Sequence, residues 1–225
     1  MKSRQSGFTL VEIAIVLVII GLLLGGVLKG QELINSAKVK NFATDFRNIP
    51  LFIYGFQDKY KVLPGDDWNI SAKITNATNA STPAGMGNNG RIDGNWDTVT
   101  VTDESMLFWQ HVRLAGLAAG TTVVAANNTY WPVNADGGRI GIESGSSNFI
   151  QNTVAGTFLQ GAYVVCSTGI LGKFALQLDT TMDDGNPQTG SVRVVAINHV
   201  RGAVALTTAA IQAAPDTSYT VCTGI

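Results

Sequence analysis

An unbroken apolar run near the N-terminus constrains this chain more than any other feature. The run extends from Phe8 to Leu28 and contains one charged residue, Glu12. As an α-helix it would be about 31 Å long, which matches the hydrocarbon core of a bilayer. Lys2 and Arg4 precede it, and basic residues on the short side of a span favour keeping that side in the cytoplasm. We therefore predict one membrane span, with everything after the run on the far side of the membrane.

The change from polar to apolar sequence lies before this run, at Gly7 and Phe8. A secretory signal peptide would place a small-residue cleavage site after its apolar region. We therefore expect residues 1–7 to be a leader and the apolar segment to stay attached to the mature chain. An ordinary single-pass anchor is the alternative. Glu12 argues against it, because a carboxylate inside an apolar span is costly and is usually retained for a partner or a function.

The junction sequence GFTLVE, from Gly7 to Glu12, resembles the cleavage signal of type IV prepilins and type II secretion pseudopilins. The resemblance implies that prepilin peptidase cuts between Gly7 and Phe8 and methylates the new amino group of Phe8. It also implies that Glu12 acts in assembly, by meeting the N-terminal amine of a neighbouring subunit where water is excluded. The implied partners are other pilin or pseudopilin subunits, the peptidase and the inner-membrane assembly platform.

The resemblance leaves the kind of fibre open. Many pilins of the commonest pilus class have a proline near the end of this span, whereas this chain has Gly25, Gly26 and Lys29 there. Major pilin, minor pilin and pseudopilin all remain compatible with the sequence. The glycines permit close helix approach and also lower helix propensity. The expected location is the bacterial inner membrane, with a cytoplasmic N-terminus and a periplasmic head, and then the fibre.

Apolar residues continue at helical spacing after the span, so the helix is predicted to reach about Lys61. Pro50 is expected to bend it, and the turn residues from Leu63 to Asp67 to end it. The apolar positions recur at three- and four-residue steps and comprise Phe42, Phe46, Ile49, Ile53, Phe56 and Tyr60. Residues 8–28 are thus the predicted membrane and assembly half of a stem helix, and residues 29–61 its amphipathic half.

Residues 62–225 are expected to form one globular head that packs on the amphipathic half of the stem. A helix is predicted from a cap at Thr102 or Asp103 to Gly116. Strands are predicted at Thr121–Ala125, Ala162–Cys166, Phe174–Leu178 and Ser191–Ile197. The expected fold class is α+β, with a long N-terminal hydrophobic stem helix packed on a head that contains an antiparallel sheet, in the manner of a pilin lollipop.

Cys166 and Cys222 are the only cysteines, and neither has a second cysteine or a histidine at metal-ligand spacing. In an exported head they are predicted to form a disulfide, which would contribute roughly 4 kcal/mol in the chain-entropy model. Two buried free thiols are the alternative.

Asp179, Asp183 and Asp184 lie in an acidic loop that offers oxygen ligands for Ca²⁺, a hard cation. Some pseudopilins hold calcium in a C-terminal head loop, so the resemblance adds to this hypothesis. The alternative is a plain turn, because Asp-Gly followed by Asn-Pro bends a chain without a metal. The spacing is not that of an EF-hand, which favours the turn.

The remaining sequence lacks the basic patch of nucleic-acid-binding proteins and the motifs of several enzyme classes. From residue 62 onward there are twelve acidic side chains and seven basic ones. The head is therefore acidic, and no nucleic-acid partner is expected. There is no nucleophile elbow, phosphate-binding loop or metalloprotease motif, and His111 and His199 stand alone as surface or packing residues. We therefore expect no enzyme. Two classes remain, a fibre-building subunit and a membrane-anchored or fibre-tip adhesin or receptor whose head binds a surface ligand.

Overall fold

The longest element of the protein is helix α1, Leu10–Tyr60, which contains Pro50. Lys61 follows with a positive φ of 60°, so the helix ends within one residue of the predicted position. Helix α1 confirms the predicted stem, whereas the bend at Pro50 stays a prediction. The computed structural model describes residues 9–146, 148–152 and 156–225.

The chain divides into two compact units that meet between Lys38 and Val39. In the second unit, α1 buries one face against the head, and Phe42 lies 6.3 Å from Phe174 between ring centroids. The spacing of three and four residues places the buried side chains on that single face. They are Val39, Phe42, Ala43, Phe46, Ile49, Ile53 and Phe56.

The head of the described chain contains two sheets. The larger consists of β1 (Ile140–Ser144), β3 (Tyr163–Leu171), β4 (Val192–Ala196) and β6 (Ser218–Gly224). It is antiparallel, in the spatial order β1-β3-β6-β4. The smaller consists of two parallel strands, β2 (Ile150–Gln151) and β5 (Ala203–Val204). The stem helix and the four-stranded antiparallel sheet give the predicted α+β fold.

Three α-helices and a short 3₁₀ helix complete the described head. They are the 3₁₀ helix Ile70–Ala72, α2 (Glu104–Leu114), α3 (Gly172–Met182) and α4 (Thr208–Ala213). The predicted helix after residue 103 is therefore confirmed as α2. Its N-cap is Asp103, although the Asp103 carboxylate accepts hydrogen bonds from the Thr82 and Thr98 hydroxyls instead of capping the helix.

Two of the four predicted strands are wrong. Phe174–Leu178 lies in α3, where Phe174, Ala175 and Leu178 are buried at helical spacing. Thr121–Ala125 is irregular, and two of its carbonyl groups accept hydrogen bonds from side chains instead of from a neighbouring strand. Arg113 donates to the Thr121 carbonyl oxygen at 3.0 Å, and Gln110 donates to that of Thr122 at 3.0 Å.

The other two predicted strands are confirmed with small shifts of their ends. Ala162–Cys166 corresponds to the first half of β3, and Ser191–Ile197 to β4. The sequence pattern did not identify β1 or β6. Together these four strands place the C-terminal β6 between β3 and β4, in the interior of the sheet.

Candidate functional site

Thr9 and Glu12 form a reciprocal cap at the start of α1. The Thr9 amide donates to Glu12 Oε2 at 2.8 Å, and the Glu12 amide donates to Thr9 Oγ1 at 3.3 Å. The Thr9 hydroxyl also donates to Glu12 Oε2 at 2.8 Å. This is a capping box, in which each side chain satisfies an amide that the helix leaves unpaired. The sequence signal for it is a threonine followed three residues later by a glutamate.

The cap gives Glu12 a role within its own chain that the sequence analysis did not assign to it. Its proposed role in assembly, as the partner of a neighbouring N-terminal amine, is not tested by this geometry. The predicted cleavage and methylation sites, Gly7 and Phe8, lie outside the described residues. The division into a leader, two stem halves and a head therefore stays a prediction.

The first part of α1 exposes its apolar side chains on every side. Leu10 is 91% exposed, Leu22 is 74% exposed and Leu28 is 66% exposed. Within the described chain, α1 is the one helix long and apolar enough to cross a membrane. A surface of this kind needs an apolar environment, which a bilayer or packed neighbouring helices can supply. The observation supports membrane anchoring.

The three acidic residues predicted as metal ligands converge at the end of α3. Asp179 lies in the last turn of this helix, and Asp183 and Asp184 follow it directly. One carboxylate oxygen from each of the three residues lies within 4.8 Å of the other two. Oxygen ligands that bind one Ca²⁺ at 2.3–2.6 Å are separated by comparable distances. The separations therefore permit a single cation to contact all three carboxylates.

Asp179 is the unusual member of this cluster. Its side chain is 0% exposed, and neither carboxylate oxygen has a hydrogen-bond partner within the described residues. A buried polar group without a partner is destabilising, and a buried carboxylate is more so. A plain turn does not need this residue, so the turn alone does not account for Asp179.

Asp183 and Asp184 are held in place by the loop that follows them. Asp183 Oδ2 accepts hydrogen bonds from the Ser191 and Val192 amides. Asp184 Oδ1 accepts the Asn186 amide at 2.9 Å, and its Oδ2 accepts the Thr189 hydroxyl at 2.5 Å. These contacts fix both carboxylates beside Asp179.

Burial dominates the electrostatics of this cluster. Burial, with a smaller contribution from the negative charges of Asp184 and Asp183, raises the pKa of Asp179 to about 7. Hydrogen bonds from Thr189 and Asn186 lower the pKa of exposed Asp184, so that carboxylate stays charged. The Arg193 guanidinium opposes the rise at Asp179, but it is bonded to the Thr189 and Val192 carbonyls and to Asn152.

Cys166 and Cys222 form the predicted disulfide. They lie directly opposite each other on β3 and β6, with their Cα atoms 4.1 Å apart. The bond joins residues separated by 56 positions and is fully buried in a small cluster that includes Trp96 and Phe149. It therefore fixes the register between two strands at the centre of the sheet.

The two histidines are not brought together. His111 is fully buried on α2, where its Nδ1 accepts the Gly65 amide at 2.9 Å and its Nε2 donates to the Thr78 carbonyl at 2.9 Å. Burial lowers the pKa of His111 to about 4, so the ring is neutral at physiological pH. His111 thus joins α2 to the turn after α1, and His199 stacks on Trp96 with ring centroids 6.2 Å apart.

Comparison with known proteins identifies the N-terminal segment. Residues 2–28 match the family model of the prokaryotic N-terminal methylation motif. No curated protein and no solved structure matches the chain. The matched residues contain the Gly7 to Glu12 junction and the whole apolar run. The chain therefore carries the prokaryotic N-terminal methylation motif, which is the signature of type IV pilins and pseudopilins.

Proposed function

We propose that the chain is a structural subunit of a type IV pilus or a type II secretion pseudopilus. The observation that carries this proposal is the methylation motif at residues 2–28, which leads into a helix with a fully exposed apolar surface. A pilin-like protein needs such a surface twice, first in the bilayer and then against neighbouring subunits in the fibre.

Processing follows from the position of the motif. Prepilin peptidase cuts between Gly7 and Phe8 and methylates Phe8, and the inner-membrane assembly platform then adds the subunit to the fibre. Before assembly, the N-terminus is cytoplasmic and the head is periplasmic, where the Cys166–Cys222 bond is stable. During assembly, the Glu12 carboxylate exchanges its contacts in the Thr9 cap for the amine of a neighbouring Phe8.

Intact-mass measurement of the mature protein tests the processing step. We expect a chain that starts at Phe8 and carries one additional methyl group. A mature chain that still starts at Met1 contradicts the proposal, and so does one that has lost the whole apolar run.

The alternative function is a membrane-anchored or fibre-tip adhesin or receptor. Shearing the cells and separating extracellular fibres from membranes distinguishes an anchored receptor from a fibre subunit. A fibre subunit appears in the sheared fraction, whereas an anchored receptor stays with the membranes. Immunogold labelling along the whole fibre indicates a structural subunit, and labelling confined to the end indicates a tip protein.

We also infer that Asp179, Asp183 and Asp184 bind Ca²⁺. The supporting observation is the Asp179 carboxylate, which is fully buried and has no hydrogen-bond donor among the described residues. A divalent cation would compensate this carboxylate and the two beside it at once. Oxygen-only ligands favour Ca²⁺ or Mg²⁺, and Ca²⁺ is the better candidate because it does not demand the near-ideal octahedral geometry that Mg²⁺ requires.

Calorimetric titration of the full chain in detergent micelles tests calcium binding. We expect saturable binding to the wild type and none to Asp179→Asn, which keeps the size of the side chain and removes its charge. The matched control is Asp216→Asn, because Asp216 is an exposed carboxylate that pairs with Lys173 elsewhere in the head. Absence of binding to the wild type at millimolar Ca²⁺ refutes the site.

A further inference from the structure

The part of α1 that belongs to the head unit has three distinct faces. One face is buried in the core. A second is exposed and mixes cations with large apolar groups: Lys40, Arg47, Leu51 and Tyr54. Leu51 is 65% exposed and Tyr54 is 66% exposed, although both are bulky and apolar. We call this second face the exposed stripe. Its residues recur at three-, four- and seven-residue steps, so they share one side of the helix.

The third face of α1 lines a groove against the head. It contributes Asp45, Asn48 and Phe52, and the head contributes Trp109, Arg113 and Val133. The groove consists of a cleft of about 360 Å³ and an adjoining cleft of about 280 Å³, which share Asp45 and Val133. Its walls therefore mix apolar and polar side chains. Asp45 is their one carboxylate, and the Arg113 guanidinium, which also lines the groove, is bonded to backbone carbonyls of the head.

The Asp45 carboxylate has no hydrogen bond or ion pair within the described part of the chain. Burial raises its pKa to about 6, so the carboxylate is largely ionised at neutral pH but poorly solvated. A half-buried carboxylate without an ion pair, close to the apolar surfaces of Phe52 and Trp109, is a suitable site for a basic side chain with apolar neighbours. Arg47 and Lys40 likewise form no ion pair among the described residues.

The groove and the exposed stripe match in spacing as well as in charge. In the groove, Asp45 is followed by Phe52 at a step of seven residues. In the stripe, Arg47 is followed by Tyr54 at the same step, with exposed Leu51 between them. Two helices that lie along each other can therefore pair the two charges and bring Leu51 and Tyr54 of one against Phe52 of the other.

We propose that the groove of one copy receives the exposed stripe of a second copy, with Arg47 of the second copy paired to Asp45. The contact joins two different surfaces of the same chain, so it is heterologous and repeats without closing unless the rotation happens to form a ring. Repetition of this kind builds a filament. The inference rests on the proposed function as a fibre subunit and names the surface through which its heads meet.

Charge exchange in the full chain tests the pairing. Asp45→Arg and Arg47→Asp should each lower the amount of the chain in sheared fibres roughly tenfold or more, because like charges then face each other. The double variant Asp45→Arg with Arg47→Asp should recover fibres. The matched control, Asp45→Arg with Lys40→Asp, should not recover them, since Lys40 lies about 10 Å further along the helix.

Disulfide crosslinking tests the same contact without reversing a charge. Both native cysteines are already bonded to each other, so introduced cysteines react only among themselves. Asp45→Cys with Arg47→Cys should give ladders of linked subunits in fibres. Residues two apart on one helix point in different directions, so the two new cysteines of one chain cannot bond to each other and must link neighbouring subunits. Asp45→Cys with Lys40→Cys should give none.

The outcomes distinguish a failure of the groove contact from a failure of the proposed function. Fibres that contain the wild-type chain but give no ladder from the 45 and 47 pair overturn the groove contact and leave the proposed function standing. Normal assembly of Asp45→Arg also overturns the contact. Fibres that lack the wild-type chain overturn both.

Discussion

Comparing the stability of the wild type and Asp179→Asn across pH, with and without Ca²⁺, tests whether Asp179 is a metal ligand. In the metal-free chain, the pKa of Asp179 is raised from 3.8 to about 7 by burial and by its acidic neighbours. The folded state therefore binds one more proton than the unfolded state between these two values. Because the folded state binds the extra proton, the free energy of unfolding falls as the pH rises through this window.

The size of the effect follows from the two pKa values. A difference of about three corresponds to roughly 4 kcal/mol, which is lost in full once the pH exceeds about 7. The amide of Asp179→Asn does not titrate. We therefore expect the variant to match the wild type near pH 4 and, without metal, to be more stable near pH 8 by up to this amount. Calcium at a hundredfold excess over its dissociation constant should stabilise only the wild type, by about 2.7 kcal/mol.

Urea unfolding of the full chain in detergent micelles measures these differences. All four tryptophans lie beyond residue 61, so their fluorescence reports on the head even when the apolar run is in the micelle. The comparison uses about pH 5 and about pH 8, with a calcium chelator and with millimolar Ca²⁺. Other buried carboxyls, such as Glu104 with a pKa raised to about 7, contribute equally to both proteins and cancel.

Two results would refute this reasoning. The first is an identical pH dependence for the wild type and Asp179→Asn in the chelator, because the carboxylate would then have an ordinary pKa. The second is equal stabilisation of both proteins by Ca²⁺, because the cation would then bind elsewhere. Asp216→Asn serves as the control and should follow the wild type in every condition.

Three further predictions concern the disulfide and the first part of α1. Replacing Cys166 and Cys222 together by alanine should lower the free energy of unfolding by about 4 kcal/mol for the 56-residue separation, and an unchanged urea midpoint would contradict this. Glu12→Val and Glu12→Gln should both insert into membranes, and both should fail to enter fibres. Thr9→Ala weakens the cap by about 1 kcal/mol but keeps the Glu12 charge, so this variant should still assemble. Normal fibre entry by Glu12→Gln would show that the charge has no role in assembly. A side chain added at Gly25 would meet no atom of the described chain, and Gly25→Leu should stabilise the isolated helix by up to about 1 kcal/mol. In the fibre the larger side chain should reduce the yield, because close helix packing at this glycine would be blocked. An unchanged fibre yield would exclude such packing.

The stem could be predicted because its sequence signal is long and periodic. The first part of α1 is apolar at nearly every position, and its later turns repeat one apolar face, which contains the predicted Phe42, Phe46, Ile49, Ile53 and Phe56. The chemistry of the N-terminal segment is equally visible, because a basic leader, a junction and an apolar run follow one another without interruption. Signals of this length do not depend on how the rest of the chain folds.

The head was harder to predict, because its elements are short and tertiary contacts decide them. Phe174–Leu178 contains residues that suit a strand or a helix, and only its packing against α1 and the sheet selects the helix. Thr121–Ala125 has strand-like composition, but the Arg113 and Gln110 side chains occupy its carbonyl groups. Asp179 was included in the acidic loop, yet its complete burial depends on the packing of α3 and could not be read from the spacing of aspartates.

The position of β6 in the sheet sets an order of events for an exported head. Residues 218–224 pair with β3 on one side and with β4 on the other, so neither neighbour can complete its hydrogen bonds before this strand arrives. Cys222 lies on the same strand, and the disulfide must wait for it as well. If the head crosses the membrane in an extended form, β1 and β3 can pair early, but the complete sheet and its covalent link can form only after residues 218–224 have emerged. Until then β3 and β4 present open edges, which makes the newly exported head dependent on protection from aggregation.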